Sequence, residues 1–370
     1  MDNYKIGIIT FHAAENFGSA LQAFALQHVL IKKGFDAEII DCTLESDMEQ
    51  YKLFRTQYYK ERPKAFLGDI LYLKKNFRRK YNYKEFRKKY LKMSAGKFQI
   101  GKDDLENLNN EYNVFICGSD QIWNLNCTGG FISEFFLNFA DNTSKKISYA
   151  PSMPEAVSPV YYGKIKASLE RFDAISVREN QTIAYLNNEV GIKKTIIQVL
   201  DPTLLIDNQC YINEFALKEE KEKYIFVYIL TDIGNMDPII KLALETARLT
   251  KLKIKYVYIR KIREFKGSDF LLGIGPIEFL NEIYNATYVI TNSFHASVFS
   301  IHFEKPFCVF QRSGSQSRMN ELLKKLKLEN NLFENNSNFW MQSKSSSETR
   351  RIIEPMREES IAFLMEHLKN

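Results

Sequence analysis

A chain of 370 residues with 45% apolar and 14% aromatic content is too long for one ordinary core and well supplied for two. No run of about 18 apolar residues occurs, so no membrane-spanning helix is expected. The five cysteines (42, 117, 127, 210 and 308) are odd in number, scattered and without a CxxC pair, which points to reduced thiols in the cytoplasm and away from a zinc or disulfide framework.

The chain opens on KIGIITF (5–11), a strand pattern without the apolar run and cleavage site of a signal peptide. Phe17 to Lys33 carries apolar residues at 17, 21, 24, 25 and 29, the spacing of an amphipathic helix, and Gly34 punctuates it before the strand-like DAEIIDC. The net charge of +6 is unevenly spread: Lys52 to Lys92 holds fifteen Lys or Arg against three acids, interleaved with Tyr and Phe. This predicts a basic helical insertion over about 48–92. Its charge is either the solvated face of one or two long helices, or a surface for anionic membrane headgroups or a phosphorylated acceptor. Nucleic acid ranks third, because no binding motif accompanies the charge.

Four short apolar runs follow, NVFICGSD, KKISYAPSM, DAISVREN and IIQVLDPTLLI, with helical patterns at 158–171 and 180–188 between the later ones. The charged LKEEKEK (217–223) reads as a linker. Beyond it the alternation restarts: YIFVYIL, helix 238–250, KIKYVYI, helix 276–285, YVITN, helix 295–303, PFCVF and helix 318–327. The polar tract ENNSNFWMQSKSSSE then leads to a final helix, Ile353 to Leu368. Strands alternating with crossover helices mean parallel sheets. The predicted fold is therefore α/β, with two Rossmann-like domains at 1–215 and 224–340, a C-terminal helix at 350–370, and a cleft where the two sets of strand ends face each other.

Ligands bind beyond the carboxyl ends of strands in open α/β sheets, so residues there carry the functional expectations. In NFGSALQAFALQ, Gly18 and Ser19 open a helix whose free amides and dipole suit an anion; alternatively Asn16 and Ser19 simply cap it. Phe17, Leu21 and Phe24 read as core. In FICGSDQIWN, Gly118 permits close backbone approach, Ser119, Asp120 and Gln121 are the types that hold sugar hydroxyls, and Trp123 offers a ring face. Arg178 is either a fork for carboxylate or phosphate or half of a surface ion pair with Glu179 or Asp173. Asp201 before Pro202 is a turn signature. In TNSFHASVFSI, His295 occupies a strand-to-helix junction where an aliphatic residue would pack more simply. His302 is the better candidate for a plain core histidine, and His12 also ends a strand.

Seven segments in order resemble the polysaccharide pyruvyl transferase family: NFGSALQAFALQ, ICGSDQIWN, SYAPSM, DAISVREN, VLDPTLL, GPIEFLNEIYNATYVITNSFHASVFSIHFEKPF and SRMNELLKKL. The resemblance implies the two-domain arrangement called GT-B, with the acceptor on the N-terminal side and the donor on the C-terminal side. It implies transfer of the enolpyruvyl carbons of phosphoenolpyruvate onto two hydroxyls of a sugar, in a cell-surface polysaccharide such as exopolysaccharide or capsule or in its lipid-linked precursor. The product is a cyclic ketal, and phosphate is released. His295 matches the catalytic histidine, as general acid. Arg178 matches an arginine implicated with the donor. Ser293 and Phe294 stand where some branches carry an arginine, and Ala296 where many carry glycine, so Arg312 and Arg318 are expected to supply charge to the donor. Asp120 is the expected sugar-hydroxyl contact or base. The donor is a substrate, and neither cofactor nor metal is expected, since no clustered carboxylates or His/Cys spacing occur. A lipid-linked acceptor would bring the enzyme to the inner membrane face through the basic insertion. Two rivals stand beside this reading: a GT-B glycosyltransferase whose nucleotide sugar is served by Glu278 and Glu282, and a non-catalytic carbohydrate-binding relative.

Overall fold

Short runs rich in Ile, Val, Phe and Tyr alternate with helices along the chain, and each run pairs in parallel with its neighbours. The computed structural model describes residues 4–45, 52–54, 64–230, 236–258, 261–311, 316–333 and 346–369. Its strands are β1 (Lys5–Ile9), β2 (Asp36–Thr43), β3 (Met93–Gln99), β4 (Val114–Cys117), β5 (Lys145–Ser148), β6 (Ala174–Val177), β7 (Ile196–Gln198), β8 (Tyr224–Tyr228), β9 (Lys253–Val257), β10 (Asp269–Phe270), β11 (Tyr288–Thr291) and β12 (Phe307–Val309). The helices are α1 (Phe17–Lys32), α2 (Lys64–Leu71), α3 (Leu73–Tyr90), α4 (Leu125–Thr128), α5 (Tyr162–Leu169), α6 (Asn180–Tyr185), α7 (Asn208–Phe215), α8 (Asp237–Thr250), α9 (Pro276–Asn285), α10 (Phe294–His302), α11 (Gln316–Lys325) and α12 (Ser346–Lys369).

The chain forms two units. The first takes in Met1–Tyr72, Lys84–Leu205 and Pro355–Asn370 and is built on a seven-stranded sheet of order β3-β2-β1-β4-β5-β6-β7. The second takes in Leu73–Tyr83 and Ile206–Glu354 and is built on a five-stranded sheet of order β10-β9-β8-β11-β12. Every strand pair in both sheets is parallel. Strand order reverses between β1 and β4 in the first unit and between β8 and β11 in the second. Such switch points are where α/β sheets hold ligands. The two parallel-sheet α/β units are the fold class that the alternating pattern predicts.

The central strands are buried on both faces, as expected of parallel sheets covered by helices. Ile6, Ile8 and Ile9 of β1, Phe115 and Ile116 of β4, and Ile225, Phe226 and Val227 of β8 are all fully inaccessible. Two strands escape the periodicity argument. The edge strand β3 reads MSAGKFQ, which is half polar, and β10 has two residues.

Helix α1 corrects one expectation. It is not amphipathic: Phe17 to Gln27, Val29 and Leu30 are all buried, including Gln22 and Gln27. The sheet covers one side, Pro202–Leu204 packs against it, and Phe24 meets the rings of Phe86 and Tyr90 on α3. The two buried amides are compensated by hydrogen bonds, as burial requires. Gln27 Nε2 donates to the carbonyls of Ala37 and Lys92, and its Oε1 accepts from Lys92 N. None of the five cysteines forms a disulfide among the described residues; Cys42, Cys117 and Cys308 lie in the core, where burial pushes the Cys308 thiol up to about 12.

Candidate active site

In the first unit the strand ends of β1, β4, β5 and β6 are laced into one polar network. Asn16 is the N-cap of α1, its Oδ1 accepting from Gly18 N (2.9 Å) and Ser19 N (3.3 Å). The two amides expected to hold an anion are therefore already bonded to Asn16. The Ser19 hydroxyl instead donates to Asp120 Oδ2 at 2.6 Å, while Asp120 Oδ1 accepts from Gln121 N at 2.9 Å. Asp120 sits in the left-handed region at φ 68° and is buried. Gln22 bridges β1 and β4, donating to Thr10 Oγ1 and the Phe11 carbonyl and accepting from Ser119 N.

Arg178 is buried, and its Nη2 lies 2.7 Å from Asp201 Oδ2 and donates to Ser119 Oγ at 2.6 Å. The ion pair weighed from sequence, a surface pair with Glu179 or Asp173, is thus replaced by an interior pair with Asp201. Asp201 is fixed in turn by Thr203 N. Glu179, its neighbour, accepts at Oε1 from Ser152 Oγ, Met153 N and Thr182 Oγ1, which ties the SYAPSM segment to the end of β6. Sequence reasoning gave Gln22 no role and weighed Glu179 only as a surface partner of Arg178; a polar residue inside the apolar run of α1 is the signal that could have found Gln22.

One expectation fails on geometry, and another is met within the chain itself. Trp123 is 0% exposed, stacked on Phe136 with ring centroids 5.2 Å apart, and donates through Nε1 to the Phe135 carbonyl. It is a core residue and presents no face to a sugar. Gly118 does allow close approach, but to the chain itself: at φ 118° a Cβ there would lie 2.1 Å from the Tyr149 carbonyl oxygen. Gln121 is half-buried and accepts from Asn124 Nδ2. His12, at the end of β1, is buried with Nδ1 3.1 Å from the Thr10 carbonyl and Nε2 3.2 Å from Asp41 Oδ1. That hydrogen bond holds the Asp41 carboxyl below its usual range.

In the second unit the switch point carries the histidine. Strand β11 ends at Thr291, and Ser293 caps α10 by accepting from Ala296 N at Oγ. His295 therefore occupies the first turn of α10, is 9% exposed, and meets the Phe294 ring edge-on at 5.3 Å. Asn292 Oδ1 accepts from Leu230 N, which joins the ends of β8 and β11; its buried Nδ2 has no hydrogen-bond partner among the described residues. Arg318, on α11, is buried with its guanidinium carbon 5.7 Å from the Phe294 ring centroid. The structure thus gathers His295, Ser293, Asn292 and Arg318 around Phe294. Arg312 lies outside the described residues. His302 packs against Tyr211 and Phe299 in the core.

The two glutamates of the nucleotide-sugar rival are engaged elsewhere. Glu278 accepts from Gly275 N and Asn82 Nδ2 and lies 3.6 Å from Arg78 Nη2. Glu282 faces Lys255 at 3.8 Å, and burial raises its carboxyl above the usual value.

A model of the family described as polysaccharide pyruvyl transferase matches residues 16–314. The chain belongs to the polysaccharide pyruvyl transferase family. This is an enzyme family of polysaccharide biosynthesis whose acceptor is a sugar. No curated protein matches the chain. Among solved structures, it is similar to the UDP-GlcNAc 2-epimerase of Methanocaldococcus jannaschii, with a TM-score of 0.50 at 10% identity over 96% of this chain and 99% of that one. The UDP-GlcNAc 2-epimerase of Neisseria meningitidis gives a TM-score of 0.50 at 9% identity over 99% of both chains. At such identities the likeness concerns the fold alone. Within the pyruvyl transferase chain no helix among the described residues is long and apolar enough to cross a membrane.

Proposed function

We propose that this pyruvyl transferase takes phosphoenolpyruvate as donor, binds it beside α10 in the second unit, and uses His295 as general acid. The observation that carries the reading is the company His295 keeps: a buried guanidinium on Arg318 and an amide donor on Asn292 that lacks a partner among the described residues. A fixed cation, an unused donor and a helix N-terminus together suit a small polyanion.

The donor is an enol ester of phosphate and is unreactive toward hydroxyls until its methylene carbon is protonated. His295 delivers that proton, which leaves the central carbon electrophilic. A first sugar hydroxyl adds there and loses its proton; the bond from that carbon to the phosphate oxygen breaks, and phosphate departs. The second hydroxyl then closes the ketal. Of the two hydroxyl protons, one replaces the proton given up by His295 and the other leaves with phosphate or solvent. Asp120 is the proposed acceptor contact, held in place by Ser19. The acceptor is a sugar of a cell-surface polysaccharide or of its lipid-linked precursor.

A general acid must carry a proton, and a bound phosphate and carboxylate favour an imidazolium, so donor binding is proposed to be coupled to the proton on His295. Phosphate release from phosphoenolpyruvate, measured with a panel of sugar acceptors, tests the reaction; His295→Asn should abolish release and leave donor binding measurable. Release in that variant at the wild-type rate would reject the general-acid role. A donor affinity that stays flat between about pH 6 and about pH 8 would reject its coupling to binding.

A further inference from the structure

Six of the thirteen large apolar side chains exposed among the described residues fall in one short stretch: Phe66, Leu67, Ile70, Leu71, Phe77 and Tyr81, each between 44% and 74% exposed. Such clustering is what sets a docking site apart from the single exposed hydrophobics found on any surface. On α2, Leu67, Ile70 and Leu71 have the i, i+3, i+4 spacing of one helix face. On α3 six of the eight exposed residues, Lys74, Phe77, Arg78, Tyr81, Lys84 and Lys88, also form one stripe, while Tyr83 and Phe86 are buried on the opposite side. That exposed stripe holds two aromatics and four cations, of which Arg78 faces Glu278 at 3.6 Å and the three lysines carry the charge of the face. The only acid of α3, Glu85, is half-buried. The charge run seen in the sequence is therefore not only a solvated face: apolar side chains protrude from it and immediately precede it.

We propose that the segment from Phe66 to Lys88 docks the protein on a bilayer bearing anionic headgroups. The lysines meet the negative surface, and Leu67, Ile70, Leu71, Phe77 and Tyr81 enter the boundary between headgroups and acyl chains. The chemistry favours this occupant. A second copy of the chain seated on the same stripe would place three lysines against three lysines, and the aliphatic trio on α2 offers nothing to a nucleic acid. This inference stands on the surface alone and does not depend on the identity of the donor.

Flotation of the full chain with vesicles tests it, using phosphatidylcholine alone and phosphatidylcholine mixed with phosphatidylglycerol. Binding to the mixed vesicles only, weakening as salt rises, is expected. Lys74, Lys84 and Lys88 changed together to Gln should weaken it roughly a hundredfold, from about fivefold for each cation near the surface. The same change at Lys33, Lys193 and Lys223, exposed elsewhere, should leave it within about twofold and so separates a local surface from net charge. Leu67→Ser with Leu71→Ser should remove the part of binding that survives high salt. All these side chains are exposed, so melting temperature checks that the variants fold. No binding to mixed vesicles, equal binding to both kinds, or indifference to the lysine and leucine changes overturns the proposal. Retention on immobilised polyglutamate without vesicle binding also overturns it, and assigns the surface to an acidic protein.

Discussion

Ser19 and Asp120 are 101 residues apart in sequence, yet the Ser19 hydroxyl donates to Asp120 Oδ2 at 2.6 Å inside the first unit. One belongs to the first turn of α1 and the other follows the end of β4, so this bond joins the two sides of the topological switch point. A hydrogen bond to a buried carboxylate contributes about 1.5–3 kcal/mol. Ser19→Ala should therefore lower unfolding free energy by about 2 kcal/mol, and Asp120→Asn by a comparable amount. If the residues act through this contact, the double variant will cost clearly less than the sum, as read from urea midpoints at constant slope. Additive losses would mean that the bond is incidental.

Gly118 is required by space and by conformation together. A Cβ would overlap the Tyr149 carbonyl, and φ of 118° is closed to other residues. Gly118→Ala should cost about 3 kcal/mol or more, chiefly through displacement of the strand end that precedes Ser119 and Asp120. Near-normal stability would show that β4 and β5 can part at little cost.

The His12–Asp41 pair gives the stability a sign in acid. The two ring nitrogens of His12 both face oxygens, Nδ1 the Thr10 carbonyl and Nε2 the Asp41 carboxylate. The Asp41 carboxyl is held below its ordinary value, chiefly by the hydrogen bond from His12. A group with a lowered folded value stabilises above its unfolded value, here about 3.8, and loses that contribution as pH falls through the folded one. Asp41→Asn should lower stability at neutral pH and flatten the decline in the acid range. A variant curve parallel to wild type below about pH 4 would show that the pair contributes nothing there.

The sheets were legible in the sequence because parallel strands buried on both faces read as continuous apolar runs: KIGII, VFIC, YIFVY and YVIT all form strands. β3 was not, since an edge strand such as MSAGKFQ has no such requirement. Polar residues at strand ends were visible, but their partners were not. Nothing in the one-dimensional pattern pairs Arg178 with Asp201, stacks Trp123 on Phe136, or sets Arg318 over Phe294. Those contacts depend on which strands are adjacent, and adjacency here joins residues far apart in sequence. The same blindness made α1 look amphipathic, because two glutamines buried with backbone partners are indistinguishable in sequence from two glutamines in water.

The two arginines offer the sharpest division between support and binding. Arg178 is buried against Asp201, so Arg178→Ala leaves an interior carboxylate without its cation and should cost roughly 3–5 kcal/mol, with or without donor. Asp201→Asn in the same background should recover part of that loss, since it removes the stranded charge. Arg318 stands beside the histidine, so Arg318→Gln should act on ligand binding. Phosphoenolpyruvate at about a hundred times its dissociation constant stabilises a one-site protein by about 2.7 kcal/mol. That increment should survive on the weakened Arg178→Ala background and vanish in Arg318→Gln, measured as the donor-dependent change in unfolding free energy. The opposite pattern, with the increment lost at Arg178 and kept at Arg318, would return the donor to the first unit and leave Arg318 a packing residue over Phe294.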